Sequence, residues 1–91
     1  MGAMPHATHT IRQREEKALD KSVQRLLGWD GFHNFCSTPL WVNTMLNALP
    51  DSLLLSRVED EWSATTGEVT VTGWTLPVAL GRLLLTIDKI T

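Results

Sequence analysis

The chain has 91 residues, 43% of them hydrophobic, with 8 Lys and Arg against 10 Asp and Glu for a net charge of −2. One domain fits that length, and the apolar fraction is enough for a packed core. The mildly acidic balance excludes a general nucleic-acid binder, which carries clustered Lys and Arg, and no apolar run approaches the roughly 20 residues that span a bilayer. A domain this small buries only about 60–65% of its unfolded surface. That leaves little room for an enclosed active site, so a carrier or binding module is expected rather than an enzyme. Cys36 is the sole cysteine, which rules out an intrachain disulfide and suits a reducing cytoplasm.

Residues 1–10 are polar and hold His6 and His9. They read as a disordered tail with no secretory leader. Met1-Gly2-Ala3 looks like a cloning remnant ahead of a start at Met4. Two histidines fall short of a tetrahedral metal site. Residues 11–91 are expected to form a single domain.

Residues 11–27 predict a helix, with Leu19, Val23, Leu26 and Leu27 at helical spacing and Arg12, Glu15, Glu16, Asp20 and Arg25 on the wet side. Gly28 is placed to stop it. Phe32 to Thr38 reads as a loop with aromatic anchors. His33 and Cys36 lie three apart, but a Cys–His nucleophile needs a third orienting group and none is evident. Residues 39–49 predict a second helix, capped by Thr38 and ended by Pro50, with Val42, Met45, Leu46 and Leu49 on one face.

Residues 51–66 fit two periods. As one strand, the alternating set Leu54, Ser56, Val58, Asp60 and Trp62 would bury an acid and a serine. As a helix, Leu55, Val58 and Trp62 share a face and the charges at 57, 59, 60 and 61 point outward. The helical period fits better. Residues 68–75 alternate like a strand but lack a partner in that picture, so an extended connection is expected. Residues 76–90 predict the last helix, capped by Thr75, with Leu76, Leu80, Leu83, Leu84, Ile87 and Ile90 as an apolar stripe. The expected fold is all-α, a small four-helix bundle with a long loop between the first helix and the one opening at Asp51.

Ser52 then stands in the first turn of an acidic helix, where free N–H groups and the positive dipole end favour a phosphate. At Asp51-Ser52-Leu53 the chain resembles the acyl and peptidyl carrier proteins, whose second helix opens with Asp-Ser-Leu. Apolar Val58 and Trp62 stand six and ten positions after the serine, and Thr66-Gly67 near the expected helix end. The layout covers nearly all of 11–90. Leu49 occupies a position where the family usually has glycine, and Arg57 one where an acid is common.

The resemblance implies a free-standing cytoplasmic carrier, monomeric, with a 4′-phosphopantetheine arm on Ser52. A phosphopantetheinyl transferase would install the arm. Acyl- or aminoacyl-loading and condensing enzymes of polyketide, nonribosomal-peptide or fatty-acid assembly would then use its thioester. Asp51 and Leu53 would flank the arm, and Arg57, Glu59, Asp60, Glu61 and Trp41 would meet partners by charge and shape. A serine after Pro-Asp is also common capping chemistry.

From Leu49-Pro50 onward the chain also looks like the small ferredoxin-like domains of pilus-assembly and type II secretion proteins. Those run helix, Leu-Pro, strand, turn, strand ending in glycine, helix, here 39–49, 53–62, 67–73 and 76–88. That resemblance implies structural assembly with no cofactor. A third option is a small helical interaction module.

Overall fold

The structure, a computed structural model, describes residues 3–31 and 33–90, with side chains from residue 11 onward. Helix α1 spans Ala3–Leu27, and a 3-10 turn, Pro39–Trp41, leads into α2, Val42–Asn47. Three strands follow, β1 Leu54–Val58, β2 Glu61–Thr66 and β3 Val69–Gly73, and α3 spans Leu76–Ile90. The strands form an antiparallel meander in the order β1-β2-β3. The all-α four-helix bundle is therefore overturned. The chain is α+β, and the segment expected to be an acidic helix from Asp51 is a β-hairpin.

The register gives the reason. Leu54 pairs with Thr65, Ser56 with Ser63 and Val58 with Glu61. A two-residue loop, Glu59-Asp60, resets the phase, so the acid that one long strand would have buried lies in the turn. Leu55, Arg57, Trp62, Ala64 and Thr66 share one face. Ala64 and Thr66 on it are buried, while Leu54, Ser56 and Val58 share the other face with Ser63 and Thr65. The hairpin also supplies the partner that residues 68–75 lacked. β3 pairs with β2, Val71 opposite Ala64 and Val69 opposite Thr66, so the expected extended connection is a strand.

α3 lies at the centre. It packs on β3 and β2 on one side and on α1 and α2 on the other. Pro77, Val78, Ala79, Leu80 and Gly81 are consecutive and all buried, the mark of a helix covered on more than one face. Leu80 and Leu83 are fully buried with Val23, Phe35 and Met45, each large side chain contributing about 2 kcal/mol. Gly73 ends β3 where a Cβ would lie 2.6 Å from the backbone nitrogen of Ala79. Only glycine lets the strand approach the first turn of α3 so closely.

Several local signals act as expected. Thr75 Oγ1 accepts the backbone N–H of Val78 at 3.3 Å, and Thr38 accepts that of Leu40, as N-caps do. Gly28 ends α1 at φ 71°. The expected polar tail differs: α1 begins at Ala3, so the helix runs through residues 3–10. The side chains of His6 and His9 lie outside the described ones.

Candidate functional site

α2 ends at Asn47, and around Pro50 the chain turns before entering β1. Asp51 and Ser52 stand exposed in that turn, and Leu53 is partly buried against the core. The Leu53 N–H donates to the Pro50 carbonyl at 3.2 Å. The Ser52 hydroxyl shares a 2.9 Å hydrogen bond with that of Thr66. Ser52 therefore ties the entry of β1 to the end of β2. The helix mouth expected to hold a phosphodiester is absent here.

The expected partner-binding residues do not gather around Ser52. Arg57 lies in β1 with its guanidinium 5.7 Å from the Trp62 ring centroid. Glu59 and Asp60 form the hairpin loop, and Glu61 opens β2. By strand rise, the loop lies about 20 Å from Ser52. Trp41 sits elsewhere, its ring 5.4 Å from Trp29, 5.1 Å from His33 and 5.7 Å from Phe35. That cluster anchors the 28–41 segment, and aromatic edge-to-face packing suits it.

Next to the hairpin loop is a cleft of about 620 Å³, lined by Glu59, Asp60, Glu61, Arg12, Trp74 and Arg82 among others. Trp74 has two guanidiniums near its ring, Arg12 at 5.5 Å and Arg82 at 4.8 Å. Its indole N–H donates to Glu16 at 2.9 Å. Arg82 donates to the Thr72 carbonyl at 2.7 Å and to Glu15 at 2.9 Å. Trp74, Glu16, Arg82 and Glu15 thereby clamp α1 to the end of β3 and to α3.

Asp20 was expected on the wet side of its helix and is instead wholly buried. Its carboxylate accepts the Cys36 N–H, the Ser37 N–H at 3.1 Å and the Ser37 hydroxyl. Burial, then the charges of Asp20 and Glu16, push the Cys36 thiol up to about 12, against the pull of Arg82. It stays protonated at neutral pH and is a poor nucleophile. His33 belongs to the aromatic cluster. Its buried Nδ1 has no hydrogen-bond partner among the described residues, Cys36 included.

The sheet has two edge strands, β1 and β3, and β1 is the more exposed of them. Every one of its five residues is exposed, with Leu54 at 70% and Val58 at 68%. It pairs with β2 on one side and has no outer neighbour among the described residues. α3 covers β3 and β2 but does not reach β1. The sequence signal for this is the apolar stretch Leu53-Leu54-Leu55 followed by Val58, which fits a helical period as well as a strand.

Among the described residues, no group of three or more His, Cys, Asp or Glu could hold a metal ion, and no helix is long and apolar enough to cross a membrane. Comparison with protein-family models, with curated proteins and with solved structures finds no match.

Proposed function

We propose that this chain is a structural assembly module, which works by holding another protein and carries out no chemistry of its own. The observation that carries this reading is β1, an edge strand whose outward N–H and C=O groups and apolar side chains are left open beside a well-packed core. Strand addition to an open edge is a recurring way for proteins to bind proteins. The order of elements supports it too. A helical segment, Leu49-Pro50, strands, a terminal Gly73 and a closing helix follow the pattern by which the chain resembles the ferredoxin-like domains of pilus-assembly and type II secretion proteins. The sheet here has one strand more than that resemblance implied, because the Glu59-Asp60 loop divides 53–62.

A photo-crosslinking residue at position 54 or 58, introduced in the host cell, tests the reading. Discrete protein adducts from those positions, with none from position 68 in the β2–β3 turn, are expected. Free β1 positions that yield no protein adduct would overturn it.

The carrier reading competes on one point, the exposed Ser52 hydroxyl in its Asp51-Ser52-Leu53 turn. Without a helix opening at Asp51, that hydroxyl lacks the N–H groups and dipole that recommended it. Incubation with a phosphopantetheinyl transferase, Mg²⁺ and coenzyme A separates the two. The assembly reading expects an unchanged intact mass, and the gain of one arm, lost in Ser52→Ala, would restore the carrier.

A further inference from the structure

We infer that the protein held by β1 is a second copy of this chain, paired antiparallel edge to edge with Ser56 on the two-fold axis. The inference rests on the assembly reading and names its partner.

β1 is bound to the rest of the molecule through its ladder with β2 alone among the described residues. A strand open on both faces and one edge is a liability, and proteins guard such edges with proline, several charges or a bulge. β1 has no proline and one charge, Arg57, in Leu54-Leu55-Ser56-Arg57-Val58. An edge left this bare is suited to pairing.

The pattern of β1 is symmetric about Ser56. On the outer face Leu54 and Val58 flank it at equal spacing. In an isologous dimer each residue meets its symmetry mate across one axis. With Ser56 on that axis, Leu54 of each copy lies opposite Val58 of the other, so the two most exposed apolar side chains of the strand cover one another. On the inner face Leu55 lies opposite Arg57 of the second copy, whose aliphatic stem packs on it while its guanidinium stays near Trp62.

Neighbouring registers do worse. Centring on Arg57 sets two guanidiniums opposite each other, which is unfavourable. Centring on Leu55 sets Leu54 against Ser56 and Val58 against Ser52, leaving both apolar side chains against serine. The Ser56 register joins two three-stranded meanders into one six-stranded sheet. Because the axis is perpendicular to it, both α3 helices lie on the same face.

Sedimentation of the full chain from about 1 µM to about 1 mM, where small interfaces associate, should give a monomer–dimer equilibrium. Val58→Lys and Leu54→Lys alter exposed side chains and should leave the circular dichroism unchanged while weakening the dimer at least about tenfold. Ser56→Cys should form a disulfide-linked dimer under mild oxidation, because directly opposite strand residues place their Cβ atoms about 5 Å apart. Ser63→Cys, one strand away, should crosslink far more slowly, and the wild type should not crosslink because Cys36 is buried. A chain monomeric throughout, a dimer indifferent to Val58→Lys, or equal crosslinking at 56 and 63 would each overturn the self-pairing. A monomer that still crosslinks to a different protein from position 58 in cells would leave the assembly reading standing and remove only the second copy.

Discussion

The carboxylate of Asp20, in the middle of α1, takes the backbone N–H groups of both Cys36 and Ser37, sixteen and seventeen residues on. With the Ser37 hydroxyl as a third donor, it fastens the irregular 28–38 segment to the helix. This one buried side chain makes a loop behave as part of the core, and it lets Phe35 and Cys36 pack fully.

Removing it strands three donors inside the protein. Asp20→Ala is expected to cost about 3 kcal/mol, since a buried group left unpaired loses its full desolvation penalty and hydrogen bonds to a charge are the stronger ones. Asp20→Asn keeps one acceptor oxygen and should cost less. Urea unfolding checks both, with the midpoint lowered and the slope unchanged. A midpoint for Asp20→Ala equal to that of the wild type would show that water serves the donors as well.

Gly81 of α3 faces Cys36. A Cβ at position 81 would collide with the Cys36 sulfur and lie 3.3 Å from Val23 Cγ2. In an open helix Gly→Ala gains about 1 kcal/mol. Here overpacking of about 1–3 kcal/mol should outweigh that gain, so Gly81→Ala is expected to destabilise. Cys36→Ala alone leaves a small void. Combining the two puts a methyl group where the sulfur was, and the double variant should be more stable than Gly81→Ala, with a coupling of about 1 kcal/mol or more. Additive thermal-denaturation effects would show that the helix shifts instead.

The elements that the sequence made legible were those with a strong local signal. α3 has its Thr75 cap and a long apolar stripe, and the α1 segment has Leu19 and Val23 at helical spacing and Gly28 as its stop. The hairpin was hidden for a specific reason. The loop between β2 and β3 has Gly67 at its first position, with φ 57°, the turn chemistry a two-residue hairpin loop calls for. The loop between β1 and β2 needs the same positive φ at its first position and fills it with Glu59, at φ 59°. Without a glycine or asparagine there, nothing marked a break. Leu55, Val58 and Trp62 then fell at helical spacing only because the turn had shifted the phase. The candidate site fared worse. Ser52 was singled out for a helix that does not form, while Asp20 was hidden by its charge, because burial of an acid depends on donors brought from the distant residues 36 and 37.

Glu59 is the one non-glycine described residue with positive φ. The left-handed region costs an ordinary L-residue about 1 kcal/mol or more, and glycine almost nothing. Glu59→Gly is therefore expected to stabilise the hairpin by about 0.5–1 kcal/mol, net of glycine's greater freedom in the unfolded chain. Glu59→Val, β-branched and intolerant of that region, should destabilise by a similar amount or more. Thermal midpoints of the two variants should move in opposite directions, and a drop for Glu59→Gly would mean that the carboxylate makes a compensating contact.

Cys36 provides a pH signature. Its thiol is pushed up to about 12 in the fold from an ordinary 9.0, chiefly by burial and then by Asp20 and Glu16. Below pH 9 both folded and unfolded chains hold the proton, and the group has no effect on the pH dependence. Between pH 9 and 12 the unfolded chain releases it while the folded chain keeps it. The unfolded state then binds fewer protons, so stability falls as pH rises, by at most about 1.4 kcal/mol per pH unit from this group. Urea midpoints at about pH 8 and about pH 10.5 should differ more for the wild type than for Cys36→Ala, which lacks the titrating group. Thiol reagents give the kinetic counterpart. A protonated, buried sulfur reacts only when the structure opens, so modification of the native protein at neutral pH should be slow and should speed up with urea in step with unfolding. Rapid labelling of the native chain, with no gain on adding denaturant, would mean that residues 28–38 leave the Asp20 carboxylate far more often than three hydrogen bonds allow.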